Sequence, residues 1–188
     1  FNDEHFFNRH RVYPEAFLYK RVVYDHYDHI NLDFLDSRIL KDFKFKFTIV
    51  RNPFDRIISY FLKIKEFLNN VWWKPELNDI DKFDIFIEKI FQKRVFDYGG
   101  DFLFMLPQLF WTHSVDKFFK FENLSNDIRT IIHKCDLDSS VRVPHLNKSP
   151  HSVNKLNYFF RDQKNIQKVY DCFYNDFKYL NYSYPVNR

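Results

Sequence analysis

The sequence predicts an α/β domain with a mainly parallel central sheet that is flanked by helices. Two observations lead to this class. Short apolar runs with β-type composition, such as residues 43–50 and 118–121, end in polar turns. Each of these runs is followed by a stretch with helical spacing, over residues 53–70 and 125–134. Strands that alternate with helices form parallel sheets, because the helix carries the chain back before the next strand begins.

The first strand that is clear in the sequence covers residues 43–50, where Phe and Lys alternate before the run becomes wholly apolar. This pattern is typical of a strand that enters a buried sheet. A shorter strand is expected at Val22–Tyr24 and a short helix at Leu32–Leu40. No internal repeat and no linker interrupts the 188 residues, so residues 1–188 are interpreted as a single domain.

The longest predicted helix begins after residue 50 and extends to about Asn70. Asn52 is a good N-cap, and Pro53 suits the first helical position because its missing N–H costs nothing there. Asp81 is expected to cap a second helix over residues 81–96. The remaining elements are a loop at Tyr98–Asp101, a helical segment at 102–112, a loop at 138–157 and a last helix at about 162–177.

Composition excludes several classes of function. A hydrophobic fraction of 45% indicates a folded chain and not a disordered one. The net charge of +4 is too small to indicate a nucleic-acid partner, but it suits acidic small ligands or glycans. No apolar run reaches the ~18 residues of a transmembrane segment. The sequence contains no metal-ligand cluster, and it leaves open whether Cys135 and Cys172 form a disulfide.

The turn at Arg51–Pro53 is the strongest candidate site, because a strand ends there and a helix begins. A helix N-terminus attracts anions, and the guanidinium of Arg51 adds a planar fork that matches phosphate. Asn52 and Ser59 are two helical turns apart and share one face of the helix. From this chemistry alone, an ordinary strand–helix corner with a structural arginine is an equal alternative.

The pattern at this corner resembles the 3′-phosphate-binding segment of sulfotransferases that use 3′-phosphoadenosine 5′-phosphosulfate (PAPS). Its residues are Arg51-x-Pro53-x-x-Arg56-x-x-Ser59-x-Phe61. The resemblance implies a P-loop-NTPase-like sulfotransferase fold. It also implies that Arg51 and Ser59 bind the 3′-phosphate of PAPS, whereas Arg56 supports the local structure.

Three later segments are similar to the carbohydrate sulfotransferases of the same family, sulfotransferase family 2. They are Phe119–Leu124, Pro144–Ser149 and Val169–Tyr179. The first resembles a strand and turn that precede a helix, in which Glu122 is expected to be a structural or capping carboxylate. The second resembles a loop over the nucleotide, which implies that Asn147, Lys148 and Ser149 contact PAPS. A solvated loop is the simpler alternative for these three residues.

His29 is the candidate catalytic base. It precedes Arg51 as a histidine does in the uronosyl 2-O-sulfotransferases, where that residue accepts the proton of the acceptor hydroxyl. The family has His-Gly-His at this place, whereas this chain has Tyr27-Asp28-His29, so that only the second histidine is matched. A neutral imidazole with a pKa near ~6.5 suits the role. A surface or packing histidine is the alternative.

One part of the family pattern is missing. Sulfotransferases of this kind carry an early loop of Lys, small residues and Ser or Thr that binds the 5′-phosphosulfate. The only glycines here are Gly99 and Gly100, which follow the Arg51 motif. The loop either lies upstream of residue 1 or has been lost, and we expect the first.

The resemblance implies transfer of a sulfuryl group from PAPS to a hydroxyl of a carbohydrate or glycan. The alternative is a catalytically inactive domain that binds nucleotide or glycan. This chemistry requires no metal and no nucleic-acid partner. The family resemblance implies a cytoplasmic location for a bacterial protein and the Golgi lumen for a eukaryotic one.

Overall fold

The computed structural model describes residues 37–91, 106–141 and 155–184. Its regular elements are α1 (Ser37–Asp42), β1 (Phe47–Val50), α2 (Pro53–Ile64), α3 (Asp79–Phe91), β2 (Lys117–Lys120), α4 (Leu124–Lys134), α5 (Lys155–Phe159), α6 (Gln163–Cys172) and α7 (Tyr174–Tyr179). Two 3-10 segments lie at Gln108–Thr112 and Phe121–Asn123. The predicted strand at Val22–Tyr24 and the loop at Tyr98–Asp101 fall outside these ranges.

The two described strands form a parallel pair. Phe47 lies opposite Lys117 and Val50 lies opposite Lys120, so the carboxyl ends of β1 and β2 coincide. The helices α2 and α3 fall between the strands in the chain, as a parallel connection requires. The predicted α/β class with parallel strand pairing is therefore confirmed.

Helix α2 begins where the sequence predicts. The side chain of Asn52 accepts a hydrogen bond of 2.9 Å from the backbone N–H of Phe54, and Pro53 occupies the first turn. The face that carries Phe54 and Phe61 is buried, whereas Ser59 on another face is exposed. Local capping chemistry and one apolar face thus fix the start and the rotation of this helix.

The end of α2 differs from the prediction. The helix stops at Ile64 and not at about Asn70, and turns follow it. Buried Trp73 holds these turns: its indole N–H donates to the side chain of Asn69 at 3.0 Å, and its carbonyl accepts from the N–H of Asn70 at 2.8 Å. Asn70 adopts a positive φ of 65°, a conformation that asparagine tolerates better than most residues.

Helix α3 begins two residues earlier than predicted. The side-chain oxygen of Asn78, and not Asp81, accepts the first backbone N–H groups, from Ile80 at 2.9 Å and from Asp81 at 3.0 Å. The described helix extends from Asp79 to Phe91. The expectation that Asp81 caps this helix is therefore wrong, because a closer Asx side chain performs that role.

The predicted last helix is two helices, α6 and α7, which are separated at Phe173. The first helix starts close to the predicted residue, and Asp162 caps it with a carboxylate that accepts from the N–H of Lys164 at 2.8 Å. Phe173 leaves helical geometry with φ −109° and ψ 25°, and its buried ring packs near Phe91. Packing of Phe173 in the core therefore interrupts the helix that the sequence spacing predicts as continuous.

Three further boundaries are corrected. Strand β2 covers Lys117–Lys120, and Phe121 already belongs to a 3-10 turn. In the described part of 102–112, Gln108–Thr112 is a 3-10 segment. Helix α5 begins at Lys155, inside the segment that we expected to be a loop.

The core lies among α2, α3, α5 and α6, and aromatic rings fill much of it. Phe61 is fully buried and packs against the rings of Phe83, Phe86 and Phe159 at centroid distances of 5.2–5.6 Å. Such ring pairs add roughly 0.5–1.5 kcal/mol each beyond the burial of their area. This packing holds α2 firmly, so the residues that precede its first turn have a defined place.

Among the described residues, no helix has both the length and the apolar character that are needed to cross a bilayer.

Candidate functional site

Arg51 follows the last residue of β1, and its peptide groups are held by one side chain. The backbone N–H of Arg51 donates to Oε1 of Gln108 at 2.7 Å, and Nε2 of Gln108 donates to the carbonyl oxygen of Arg51 at 2.6 Å. A carboxamide presents one acceptor and one donor, and it therefore pairs with both backbone groups of one residue. These two bonds extend the strand by one residue without a neighbouring strand.

Gln108 is held in turn by Asp176 of α7. The backbone N–H groups of Gln108 and Leu109 donate to the two carboxylate oxygens of Asp176, at 2.7 and 2.9 Å. Asp176 is fully buried, and this burial raises the pKa of its carboxyl although both hydrogen bonds act in the opposite direction. The end of β1, the 3-10 segment and α7 are thus joined through buried polar groups.

The guanidinium of Arg51 lies over the ring of Phe121, with Cζ at 4.7 Å from the ring centroid. The parallel register explains this contact, because Val50 pairs with Lys120 and the next residue of each chain segment comes alongside. A cation over an aromatic face gains roughly 0.5–1 kcal/mol at exposed sites. Arg51 is therefore supported at its peptide by Gln108 and at its side chain by Phe121.

Glu122 supports the next residue of the corner. One carboxylate oxygen accepts the backbone N–H of Asn52 at 2.6 Å, and the other accepts the hydroxyl of Tyr182 at 3.0 Å. Burial, reinforced by the charge of Glu122, raises the pKa of Tyr182, so this hydroxyl remains a donor. These contacts confirm the structural and capping role that the sequence indicates for Glu122.

The backbone donors of the corner are already used by the protein. The N–H groups of Arg51, Asn52 and Phe54 donate to Gln108, Glu122 and the side chain of Asn52, and Pro53 has no N–H. The helix start therefore offers an anion fewer backbone donors than the sequence suggests. Recognition of an anion here would depend on side chains.

Ser59 is exposed on α2, eight residues after Arg51 in the chain, and it lies ~9 Å along the helix from Pro53, where α2 begins. Asp55 lies between Arg51 and Ser59 at i, i+4 spacing and is only partly exposed. Burial raises the pKa of Asp55, and the positive charges of Arg51 and Lys155 oppose that rise. The face that carries Ser59 thus also carries a carboxylate, which is close enough to Arg51 to respond to its charge.

The described residues include only part of the predicted site. Arg51 and Ser59 are described, whereas His29, Asn147, Lys148 and Ser149 lie outside the described ranges. In the part of the chain that the structure covers, no group of His, Cys, Asp and Glu could hold a metal ion. Cys135 and Cys172 are free thiols, so they do not form the disulfide that the sequence left open.

Arg56 has the supporting role that the sequence indicates. Its Nη2 donates to the carbonyl oxygen of Leu106 at 2.9 Å, and its guanidinium lies 5.6 Å from the ring centroid of Phe173. Desolvation lowers the pKa of this guanidinium, and the negative charge of Asp176 opposes that change. Arg56 thus connects α2 to the segment before Gln108.

Gln108, Asp176 and Phe121 were not recognised as site residues from the sequence. For Gln108 and Asp176, the sequence contains weak indications of a buried polar role. Gln108 is a lone carboxamide in an apolar run, and Asp176 shares helical spacing with buried Phe173 and Leu180. A polar group on an apolar face indicates a buried hydrogen bond but does not name its partner.

The fold and the site together define an α/β protein with a candidate anion site at the carboxyl end of a parallel strand. The sequence model of the sulfotransferase family matches residues 18–94, a segment that contains His29, Arg51 and Ser59. The resemblance to that family is confirmed over this segment, and the match supports a sulfotransferase activity in general. No curated protein and no solved structure matches the chain.

Proposed function

We propose that this protein transfers a sulfuryl group from PAPS to a hydroxyl of a carbohydrate or glycan. The family match supports the transferase class, and the donor and the acceptor are our proposal. The observation that carries it is the fixed position of Arg51, whose peptide is bonded to Gln108 at both its N–H and its carbonyl. A rigid guanidinium at the end of a parallel strand is a suitable partner for a phosphate.

The available donor set fits the 3′-phosphate of PAPS. A phosphate monoester has three acceptor oxygens, and a guanidinium fork can bond two of them at once. The hydroxyl of Ser59 adds a neutral donor on α2, the helix that follows Arg51. With the backbone N–H groups of Arg51 and Asn52 already bonded, these side chains would supply the binding energy.

In the proposed reaction, the residues of this chain position the donor and accept one proton. Arg51 and Ser59 hold the 3′-phosphate, while Asn147, Lys148 and Ser149 cover the nucleotide. His29 takes the proton of the acceptor hydroxyl as its oxygen bonds to sulfur. The bond from sulfur to the phosphate oxygen breaks, and 3′,5′-adenosine bisphosphate leaves. Positioning and charge stabilisation contribute most of the acceleration in such transfers.

Isothermal titration calorimetry with 3′,5′-adenosine bisphosphate tests the donor site. We expect the wild type to bind and Arg51→Ala to bind about 10- to 100-fold more weakly, since hydrogen bonds to charged groups contribute about 1.5–3 kcal/mol. Arg129→Ala removes an exposed arginine from α4 and is the matched control. Ser59→Ala should cost less, and exposed Ser125→Ala is its control.

The outcomes separate three interpretations. Failure of the wild type to bind would remove the donor-site proposal, and equal losses in Arg51→Ala and Arg129→Ala would indicate attraction by bulk charge. His29→Ala should abolish sulfate transfer to a panel of glycans and spare nucleotide binding. Binding without any transfer by the wild type would favour the inactive binding domain.

A further inference from the structure

We propose that Gln108, held by Asp176, is a positioning residue that sets the direction of the Arg51 guanidinium. The part of this proposal that concerns ligand affinity rests on the proposed function. The part that concerns the geometry of Arg51 does not.

The strand ladder does not reach Arg51. The β1–β2 pairing ends at Val50 and Lys120, so strand pairing no longer orients the peptide of Arg51. Gln108 takes over this role with two hydrogen bonds of 2.7 and 2.6 Å. Because a fixed peptide fixes the Cα–Cβ direction, it limits where the long side chain of Arg51 can reach.

Gln108 is itself held in place by its surroundings. Only 6% of its surface is exposed, so water competes little for its two bonds to Arg51. The backbone N–H groups of Gln108 and Leu109 both donate to the carboxylate of Asp176. The side chain of Gln108 therefore extends from a backbone that is itself fixed, and a buried and satisfied network of this kind is rigid.

The carboxamide of Gln108 is suited to this role in a way that other side chains of its size are not. A glutamine pairs with both the N–H and the carbonyl of Arg51, whereas a methionine of similar length and volume pairs with neither. A glutamate would lose the donor and place a second carboxylate near Asp176. Gln108→Met is therefore the variant that removes the support of Arg51 and preserves the packing.

A double-mutant cycle tests whether Gln108 acts through Arg51. We expect Gln108→Met to weaken binding of 3′,5′-adenosine bisphosphate about tenfold when Arg51 is present, and by less than about twofold in the Arg51→Ala background. The loss of thermal stability should be similar in both backgrounds, because residue 51 keeps its peptide in each. An equal affinity loss in the two backgrounds would overturn the proposal.

A second measurement needs no ligand. In protein labelled with ¹⁵N at arginine, the Nε–Hε signal of Arg51 should shift and broaden in Gln108→Met, because the guanidinium leaves its fixed place over the Phe121 ring. Gln167→Met changes an exposed glutamine of α6 and should leave that signal in place. An unchanged signal in Gln108→Met would overturn the proposal.

The two measurements distinguish this proposal from the proposed function. If the wild type does not bind the nucleotide but the Arg51 signal moves in Gln108→Met, the donor site is wrong and the positioning role stands. Should Gln108→Met fail to fold, Gln108→Asn keeps the carboxamide and shortens its reach. In Gln108→Asn we expect nucleotide affinity and the Arg51 Nε–Hε signal to change in the same directions as in Gln108→Met. An unchanged Arg51 signal in Gln108→Asn would overturn the proposal.

Discussion

The two ends of the β1–β2 ladder each depend on an aspartate, but only one of these aspartates is shielded from water. At the amino end, the carboxylate of Asp116 accepts a hydrogen bond from the N–H of Lys46 at 2.7 Å. The backbone N–H of Asp116 donates to the carbonyl oxygen of Lys46 at 2.8 Å. The side chain of Asp116 is 44% exposed. At the carboxyl end, fully buried Asp176 acts on Arg51 through Gln108.

The pKa values of the two carboxyls are shifted in opposite directions. The bond from the N–H of Lys46 lowers the pKa of Asp116, whereas desolvation raises the pKa of Asp176. Water can replace the partners of Asp116 when they are lost, but it cannot reach those of Asp176 without opening the core. The peptide of Arg51 lies at the end that is held by buried Gln108 and Asp176, so the expected rigidity is concentrated there.

The largest expected effect is that of Asp176→Ala. This change removes the carboxylate acceptor of the N–H groups of Gln108 and Leu109, and each buried group left unsatisfied costs about 1–3 kcal/mol. We therefore expect the free energy of unfolding in urea to fall by about 2–6 kcal/mol. Asp171→Ala, at an exposed position of α6, is the control and should change it little. Similar losses in the two variants would show that the carboxyl end is not specially held.

A smaller effect is expected in the dependence of stability on pH. A carboxyl whose pKa is raised by folding stabilises the native state in acid and loses that contribution as the pH rises above its ordinary value of 3.8. The lowered pKa of Asp116 has the opposite consequence, because its contribution is present above 3.8 and disappears as the pH falls.

Urea unfolding of wild type, Asp176→Asn and Asp116→Asn over a range of pH measures this contrast. The stability difference between wild type and Asp176→Asn should shrink as the pH rises through 3.8 and above. The corresponding difference for Asp116→Asn should grow as the pH rises toward 3.8 from below, and it should change little above 3.8. If both stability differences changed in the same direction with pH, the contrast between the two ends would be contradicted.

The smallest expected effect is that of Asp116→Ala. The N–H of Lys46 can then bond to water, and the ion pair with the Lys46 ammonium at 3.3 Å is screened by solvent. We expect the urea midpoint to fall much less than in Asp176→Ala, and nucleotide affinity measured by calorimetry to stay unchanged. A fall as large as that of Asp176→Ala, or a loss of affinity, would show that the exposed end contributes to the site.

The local features of the corner could be predicted from the sequence because their causes are local. The cap of α2 involves Asn52 and Phe54, which are two residues apart, and the buried face of the helix follows from apolar spacing. The role of Glu122 was also accessible, although its partner Asn52 is distant in the chain. A resemblance to a known pattern supplied that inference, since spacing alone does not.

The remaining features depend on partners that local patterns do not specify. The turns after Ile64 depend on the burial of Trp73, and the break at Phe173 lies where its side chain packs into the core. The support of Arg51 requires Gln108, which is 57 residues away. Periodicity identifies a buried face, but it does not say which buried polar group meets which backbone group.

The corner is closed by hydrogen bonds that join residues 57, 68 and 70 positions apart in the chain. Closing such long loops costs entropy that is recovered only when the contacts at both ends have formed. We therefore expect the helices to form before this corner during folding, so that Arg51 reaches its final place in one of the last steps. A ligand that binds Arg51 would then favour the completely folded chain over any partly folded one.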